Sequence, residues 1–163
     1  CPMVYVSSNL HRKLDSRTLW FVEGVFDGLA LDRHDLQFVA PSSGYWMAEQ
    51  LITAVKWAFD CGIKRVVCAH DRDRVGSKEN LVLGSSLRKW FEVEFVSYPD
   101  DSKDMAEYVC KNHRHPDTLP RVDMPEVASH FLSLPYEEVV NFDLYLDHRN
   151  TAYSTENYRW SQS

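Results

Sequence analysis

The sequence predicts an α/β domain with a four-stranded parallel sheet and helices on both of its faces. Four short apolar runs, rich in β-branched and aromatic residues, alternate with segments whose apolar residues recur at helical spacing. Turn residues follow three of these runs, namely Gly24, Pro41 and Pro99. This alternation is typical of βα units, whose right-handed crossovers make the strands parallel and place helices on both sides of the sheet.

The four predicted strands are residues 18–23, 36–40, 64–70 and 92–98. Where apolar residues repeat at helical spacing, helices are predicted at residues 25–33, 45–60, 77–90 and 104–111. The helix at 45–60 ends shortly before Gly62, a residue that favours the left-handed turn closing many helices. We expect the first helix to pack on the sheet through Phe26, Leu29 and Ala30.

The segments on either side of the α/β domain, 18–112, are less regular. Residues 1–17 form an N-terminal edge segment, in which Met3–Val6 could add a strand. Residues 113–163 form a proline-containing linker, a small helical extension and a polar tail. The two helices of that extension are predicted near 125–132 and 136–147.

Composition excludes several classes of protein. Of the 163 residues, 44% are hydrophobic, which is enough for a core and excludes a disordered chain. The formal net charge of −6 argues against tight binding of nucleic acid by this chain alone, because Lys and Arg hold phosphate backbones. The cysteines show no C-x-x-C spacing, which argues against a zinc site. Because the sequence shows no secretory signal and no bilayer-length apolar stretch, we expect a cytoplasmic protein without a membrane partner.

Acidic residues follow three of the predicted strands. The carboxyl ends of parallel strands meet at one edge of a sheet, so these acids can converge although they are far apart in the chain. Each cluster contains a carboxylate together with a glycine, a lysine or a second acid. The clusters are Glu23 with Gly24 and Asp27, Asp71 with Asp73 and Gly76, and Lys103 with Asp104.

The clustered carboxylates predict a divalent metal site and phosphate chemistry. Carboxylate oxygens are hard ligands that suit Mg²⁺ or Mn²⁺. In phosphoryl transfer such ions neutralise developing charge and align the reacting groups, while Glu23 could act as a base on a hydroxyl or water. Gly24 and Gly76 would let a phosphate approach the backbone closely. The predicted ligands are Glu23, Asp71, Asp73 and Asp104.

These residues resemble the motifs of the TOPRIM domain, the metal-binding fold shared by bacterial-type DNA primases, topoisomerases and certain nucleases. Val22–Asp27 is similar to the first TOPRIM motif, and His70–Gly76 is similar to its Asp-x-Asp motif with the trailing glycine. Phe26–Leu29 and Tyr98–Val109 resemble segments of bacterial and phage primases. The resemblance covers residues 18–110.

The resemblance implies roles for individual residues. The divalent metals that serve nucleotide addition would be held by Glu23, Asp71, Asp73 and Asp104, and the catalytic residues among these would be Glu23, Asp71 and Asp73. Contacts to phosphate or nucleotide would come from Gly24, Arg72, Arg74, Gly76 and Lys78. Supporting positions would be Asp27 and Lys103.

The leading hypothesis for function is the TOPRIM catalytic portion of a DNA primase, which makes RNA primers from nucleoside triphosphates on single-stranded DNA. Lys103–Tyr108 favours this reading over a TOPRIM nuclease, in which the same carboxylates would activate water. A non-catalytic TOPRIM-like module that binds a replication protein is a third hypothesis. Because a primase needs a basic subdomain to guide the template, we also expect a partner protein or further upstream domains.

Overall fold

The computed structural model of this chain describes residues 3–8 and 17–122. Its strands are β1 (Val4–Val6), β2 (Thr18–Val22), β3 (Phe38–Pro41), β4 (Arg65–Ala69), β5 (Glu92–Val96) and β6 (Arg121–Val122). Its helices are α1 (Val25–Asp32), α2 (Ala48–Asp60) and α3 (Arg74–Leu87), followed by a π-helical turn (Glu107–Lys111) and a 3₁₀ turn (Pro116–Thr118). The predicted helices near 125–132 and 136–147 and the polar tail lie outside the described residues.

The described strands form one six-stranded mixed sheet in the order β1-β3-β2-β4-β5-β6. The four inner strands pair in parallel, whereas β1 and β6 run antiparallel to their neighbours at the two edges. The predicted α/β class is confirmed. The prediction of a four-stranded, purely parallel sheet is wrong, because two short edge strands complete the sheet. One of them, β1, lies where the sequence suggested that an N-terminal strand could be added.

The chain returns to the sheet after the π-helical turn. Arg121–Val122 pairs antiparallel with β5, and the Ser97 N–H donates to the Pro120 carbonyl at 3.0 Å. These residues are predicted from the sequence to belong to a linker, because a strand of two residues is too short to leave a periodic pattern. The sheet therefore continues past residue 112, the predicted end of the domain.

Hydrophobic clusters lie on both faces of the sheet. Because successive strand residues point to opposite faces, Phe21 and Cys68 contact the layer of α2 and α3, whereas Val22 and Ala69 contact the layer of α1 and the π-helical turn. All four of these side chains are buried. Helices therefore cover both faces, and the loops that follow β2, β4 and β5 meet at one edge between the two layers.

The orientation of α1 differs from the prediction. Ala30 is buried as expected, but Phe26 is 77% exposed and Leu29 is 49% exposed. The helix instead approaches the sheet through Gly28, where an added Cβ would lie 2.0 Å from the Phe38 ring. This close packing rotates the first turn of the helix so that Asp27 is buried at the edge where the loops meet.

Substituting Gly28 tests this packing. Gly28→Ala should destabilise the fold by about 1–3 kcal/mol, because the new methyl group overpacks a buried contact with Phe38. Urea denaturation measures the free energy of unfolding. The matched control, Leu29→Ala on the exposed side of the same helix, should change it by less than about 0.5 kcal/mol. Equal effects of the two substitutions would contradict the proposed orientation of α1.

Candidate metal centre

The loops after β2 and β4 meet because these strands are hydrogen-bonded neighbours. Val22 is paired with Ala69, so the residues that follow each strand lie side by side. The Asp71 N–H donates to Glu23 Oε2 at 3.4 Å, which joins the two loops directly. The structure thus brings together Glu23 and Asp71, as the sequence predicts.

Three carboxylates form a cluster at this edge. Asp27, Asp71 and Asp104 each offer one oxygen, and these oxygens lie within 4.8 Å of one another. They come from α1, from the loop after β4 and from the segment after β5. Because such oxygens can share one cation, this cluster, which we call the acidic triad, could hold a metal ion.

Backbone hydrogen bonds orient two members of the acidic triad. The Ala106 N–H donates to Asp27 Oδ1 at 3.0 Å, which ties α1 to the start of the π-helical turn. The Glu107 N–H donates to Asp104 Oδ1 at 2.7 Å, so Asp104 caps the same turn. Both carboxylates are therefore held by backbone that belongs to a single short segment.

Burial and neighbouring acids raise the pKa values of two carboxyl groups of the triad and that of Glu23. Burial, followed by repulsion from Glu23, Asp27 and Asp104, raises the pKa of Asp71 to about 7. Burial also raises the pKa of Asp27 to about 6, against the lowering effect of the Ala106 hydrogen bond. The pKa of Glu23 is raised as well, first by burial and then by the neighbouring acids. A bound cation would relieve this repulsion, so the donor set fits a divalent metal.

Asp73, a predicted ligand, lies outside the acidic triad. Its Oδ1 accepts a hydrogen bond from the Gly76 N–H at 2.7 Å, so it is the N-cap of α3. Its charge still reaches the site, because it helps raise the pKa values of Glu23 and Asp71. Conversely, Asp27 is a member of the triad, although the resemblance implies only a supporting position for it.

The basic residues predicted to contact phosphate or to support the site lie in different places. The Arg72 guanidinium donates to the Pro99 carbonyl at 3.2 Å and pairs with Asp100 at 2.5 Å, so it joins the loops after β4 and β5. Lys103 lies with its Nζ 3.9 Å from Asp104 Oδ2. Lys78 is half-buried on α3, and the side chain of Arg74 lies outside the described part of the structure.

The two motif glycines, Gly24 and Gly76, differ in how closely other residues approach them. A Cβ on Gly76 would lie 2.2 Å from the Asp71 carbonyl oxygen and 2.8 Å from its nitrogen, so α3 begins in direct contact with the Asp71 backbone. A Cβ on Gly24 would meet only Asp27 Oδ2, at 3.9 Å. The fold of the loop therefore requires a glycine at position 76, whether or not a phosphate binds there.

Sequence reasoning missed three buried polar residues beside the acidic loops. Asn80 Oδ1 accepts from the His70 N–H at 3.2 Å and lies 2.9 Å from His70 Nδ1. Burial lowers the pKa of His70 to about 4, so its ring is neutral at physiological pH. Glu79 is also buried, and its charge contributes to the raised pKa of Glu23. The helical spacing of Asn80 with Leu83 and Leu87 was a signal that Asn80 faces inward.

Comparison of the chain with protein-family models finds no match, and comparison with curated proteins finds none either. Across the described residues, no helix combines the length and the apolar character needed to cross a membrane.

Gly76→Ala tests the contact that shapes the Asp71 loop. The added methyl group must displace the Asp71 backbone, so the variant should bind Mn²⁺ about 10- to 100-fold more weakly, as when residues that orient metal ligands are removed. Isothermal titration calorimetry with MnCl₂ measures the affinity. Gly24→Ala is the control, because its methyl group meets nothing closer than 3.9 Å. The same loss of affinity in both variants would show that the Gly76 contact is not the cause.

Asp71→Asn tests the raised pKa of the Asp71 carboxyl group. Since the folded-state pKa of Asp71, about 7, lies above the ordinary 3.8, its contribution to stability is complete at low pH and is lost as the pH rises through 7. Without divalent metal, the free energy of unfolding should therefore decrease between about pH 4 and about pH 8. In Asp71→Asn this decrease should be smaller by about 1–2 kcal/mol, after allowance for solvent screening. Urea denaturation across this range makes the measurement. Parallel curves for the two proteins would contradict the raised pKa.

Proposed function

We propose that this chain is the TOPRIM-type catalytic portion of a DNA primase, which joins ribonucleotides into RNA primers on single-stranded DNA by metal-dependent nucleotidyl transfer. The observation that carries the proposal is the convergence of Asp27, Asp71 and Asp104 at one edge of the sheet. The resemblance of the surrounding motifs to those of primases supports it.

We propose Mg²⁺ or Mn²⁺ as the metal held by the acidic triad. The triad offers oxygen donors only, and two of its carboxyl groups have pKa values raised by burial and by mutual repulsion. Hard divalent cations favour such donors. When bound, the metal would neutralise phosphate charge and align the reacting groups.

Glu23 is the proposed general base. Its Oε2 accepts the Asp71 N–H, and we propose that Oε1 accepts from a substrate hydroxyl. Burial and the neighbouring acids raise its pKa, and a base with a raised pKa takes up a proton more readily near neutral pH. Its role in the reaction would be to accept the proton of the primer 3′-hydroxyl, while the triad holds the metal.

The remaining partners are the triphosphate and the template. Lys78 and Arg74 are the proposed contacts to phosphate, since both belong to α3, which begins at the acidic loop. The chain's net charge of −6 is a poor match for a long polyanion. We therefore propose that the basic surface that guides the template comes from a partner replication protein or from a further domain.

An assay with single-stranded DNA, ribonucleotides and Mn²⁺ tests the proposed reaction. The wild-type chain, with its template-binding partner supplied if one is required, should produce labelled oligoribonucleotides, and EDTA should stop their formation. Asp27→Asn and Asp71→Asn should abolish the product, because each removes a charged oxygen donor from the triad. The control Asp60→Asn, on an exposed acid at the end of α2, should retain activity.

Glu23→Gln separates the base from the metal ligands. This variant should lose about 100- to 10,000-fold in rate, the usual contribution of a general base, while its Mn²⁺ affinity stays close to that of the wild-type chain. Shortening of the template in place of primer synthesis would identify a nuclease that uses the same carboxylates. A chain with no measurable affinity for Mg²⁺ or Mn²⁺ would instead be a non-catalytic binding module.

A further inference from the structure

Asn80 joins α3 to the residue that precedes Asp71. Its side chain is 6% exposed, and its Oδ1 receives two contacts from His70, one from the backbone N–H at 3.2 Å and one from ring Nδ1 at 2.9 Å. His70 is itself 1% exposed and follows the last residue of β4. The two residues form a buried polar pair, which we call the Asn80–His70 clamp.

The chemistry of the clamp allows only one arrangement of hydrogens. A backbone N–H can only donate, so the Asn80 atom that faces it must be the oxygen. Because that oxygen can only accept, His70 Nδ1 must carry the ring hydrogen and donate it. Both donors of His70 are therefore directed at a single acceptor on α3, which fixes the backbone and the ring together.

The clamp acts on the segment that carries a member of the acidic triad. The His70 N–H lies one residue before Asp71, and the Tyr98 hydroxyl donates to the Ala69 carbonyl at 3.2 Å from the other side. Asp71 is repelled by Glu23, Asp27 and Asp104, so its loop experiences a force away from the site. The last residues of β4 are thus held from two directions against that repulsion.

We propose that Asn80 is a positioning residue, which holds His70 so that the Asp71 carboxylate stays within reach of the metal shared with Asp27 and Asp104. Its effect on primer synthesis rests on the proposed function, whereas its effect on metal binding rests on the proposed metal site alone. Asn80 does not touch the reacting atoms, and it acts only through His70. Without the Oδ1 acceptor, His70 loses both of its hydrogen bonds to Asn80, and Asp71 can move away from the other acids.

The first test compares Asn80→Ala with Ser86→Ala. Ser86 is a matched control, because it is also a buried polar residue of α3, but its hydroxyl donates only to Val82 O of the same helix. Electron paramagnetic resonance of Mn²⁺ measures the affinity of the folded protein. Asn80→Ala should bind Mn²⁺ about 10- to 100-fold more weakly than Ser86→Ala, the range seen when residues that orient metal ligands are lost. Equal affinities in the two variants would overturn the proposal.

The second test uses the wild-type chain and so does not depend on a variant that folds. In metal-free protein the His70 amide should exchange with solvent as slowly as the amides of β4, and ¹⁵N NMR should show the Nδ1–H tautomer of its ring. Rapid exchange of that amide, or the Nε2–H tautomer, would overturn the proposal. A chain that meets both tests yet makes no oligoribonucleotides would contradict the primase function alone.

Discussion

The contact between Gly76 and the Asp71 backbone is the constraint on which the acidic edge depends. With no Cβ at Gly76, α3 can begin directly against the loop that leaves β4. Asp73 can then cap the helix, and Asn80, on the next turn, can reach back to His70. A larger residue at position 76 would separate the helix from the loop and break each of these connections in turn.

The carboxylates of the acidic triad repel one another, and the rest of the fold must hold them together. Its three carboxylates are brought together by different elements, and burial, followed by repulsion from the neighbouring acids, raises the pKa values of Asp71 and Asp27. Such an arrangement opposes folding unless protons or a cation neutralise it. Destabilising repulsion of this kind is expected at functional sites, because the arrangement that the chemistry needs is often not the most stable one. The backbone donors to Asp27 and Asp104 hold the two carboxylates in place without neutralising the site.

The sequence predicted the parts of this fold that leave a periodic or repeated signal. Four parallel strands, three principal helices and the meeting of Glu23 with Asp71 follow from apolar patterning and from the rule that parallel strands end at one edge. The rotation of α1 could not be predicted, because it depends on the packing of Gly28 against Phe38, which lies on the neighbouring strand β3. The capping role of Asp73 also escaped prediction, since a carboxylate two residues after Asp71 fits a ligand and a helix cap equally well.

Arg72 shows how one residue can serve both the structure and the proposed chemistry. Its pair with Asp100 is largely exposed, at 44% and 97% of the two side chains, and exposed pairs contribute only about 0–1 kcal/mol. A phosphate could therefore displace Asp100 at little cost, because charge-assisted bonds from arginine to phosphate are strong. The loops would stay joined during that exchange, since the Arg72 N–H also donates to the Lys103 carbonyl at 2.6 Å. The backbone contact thus keeps Asp71 near Asp104, whichever partner the guanidinium takes.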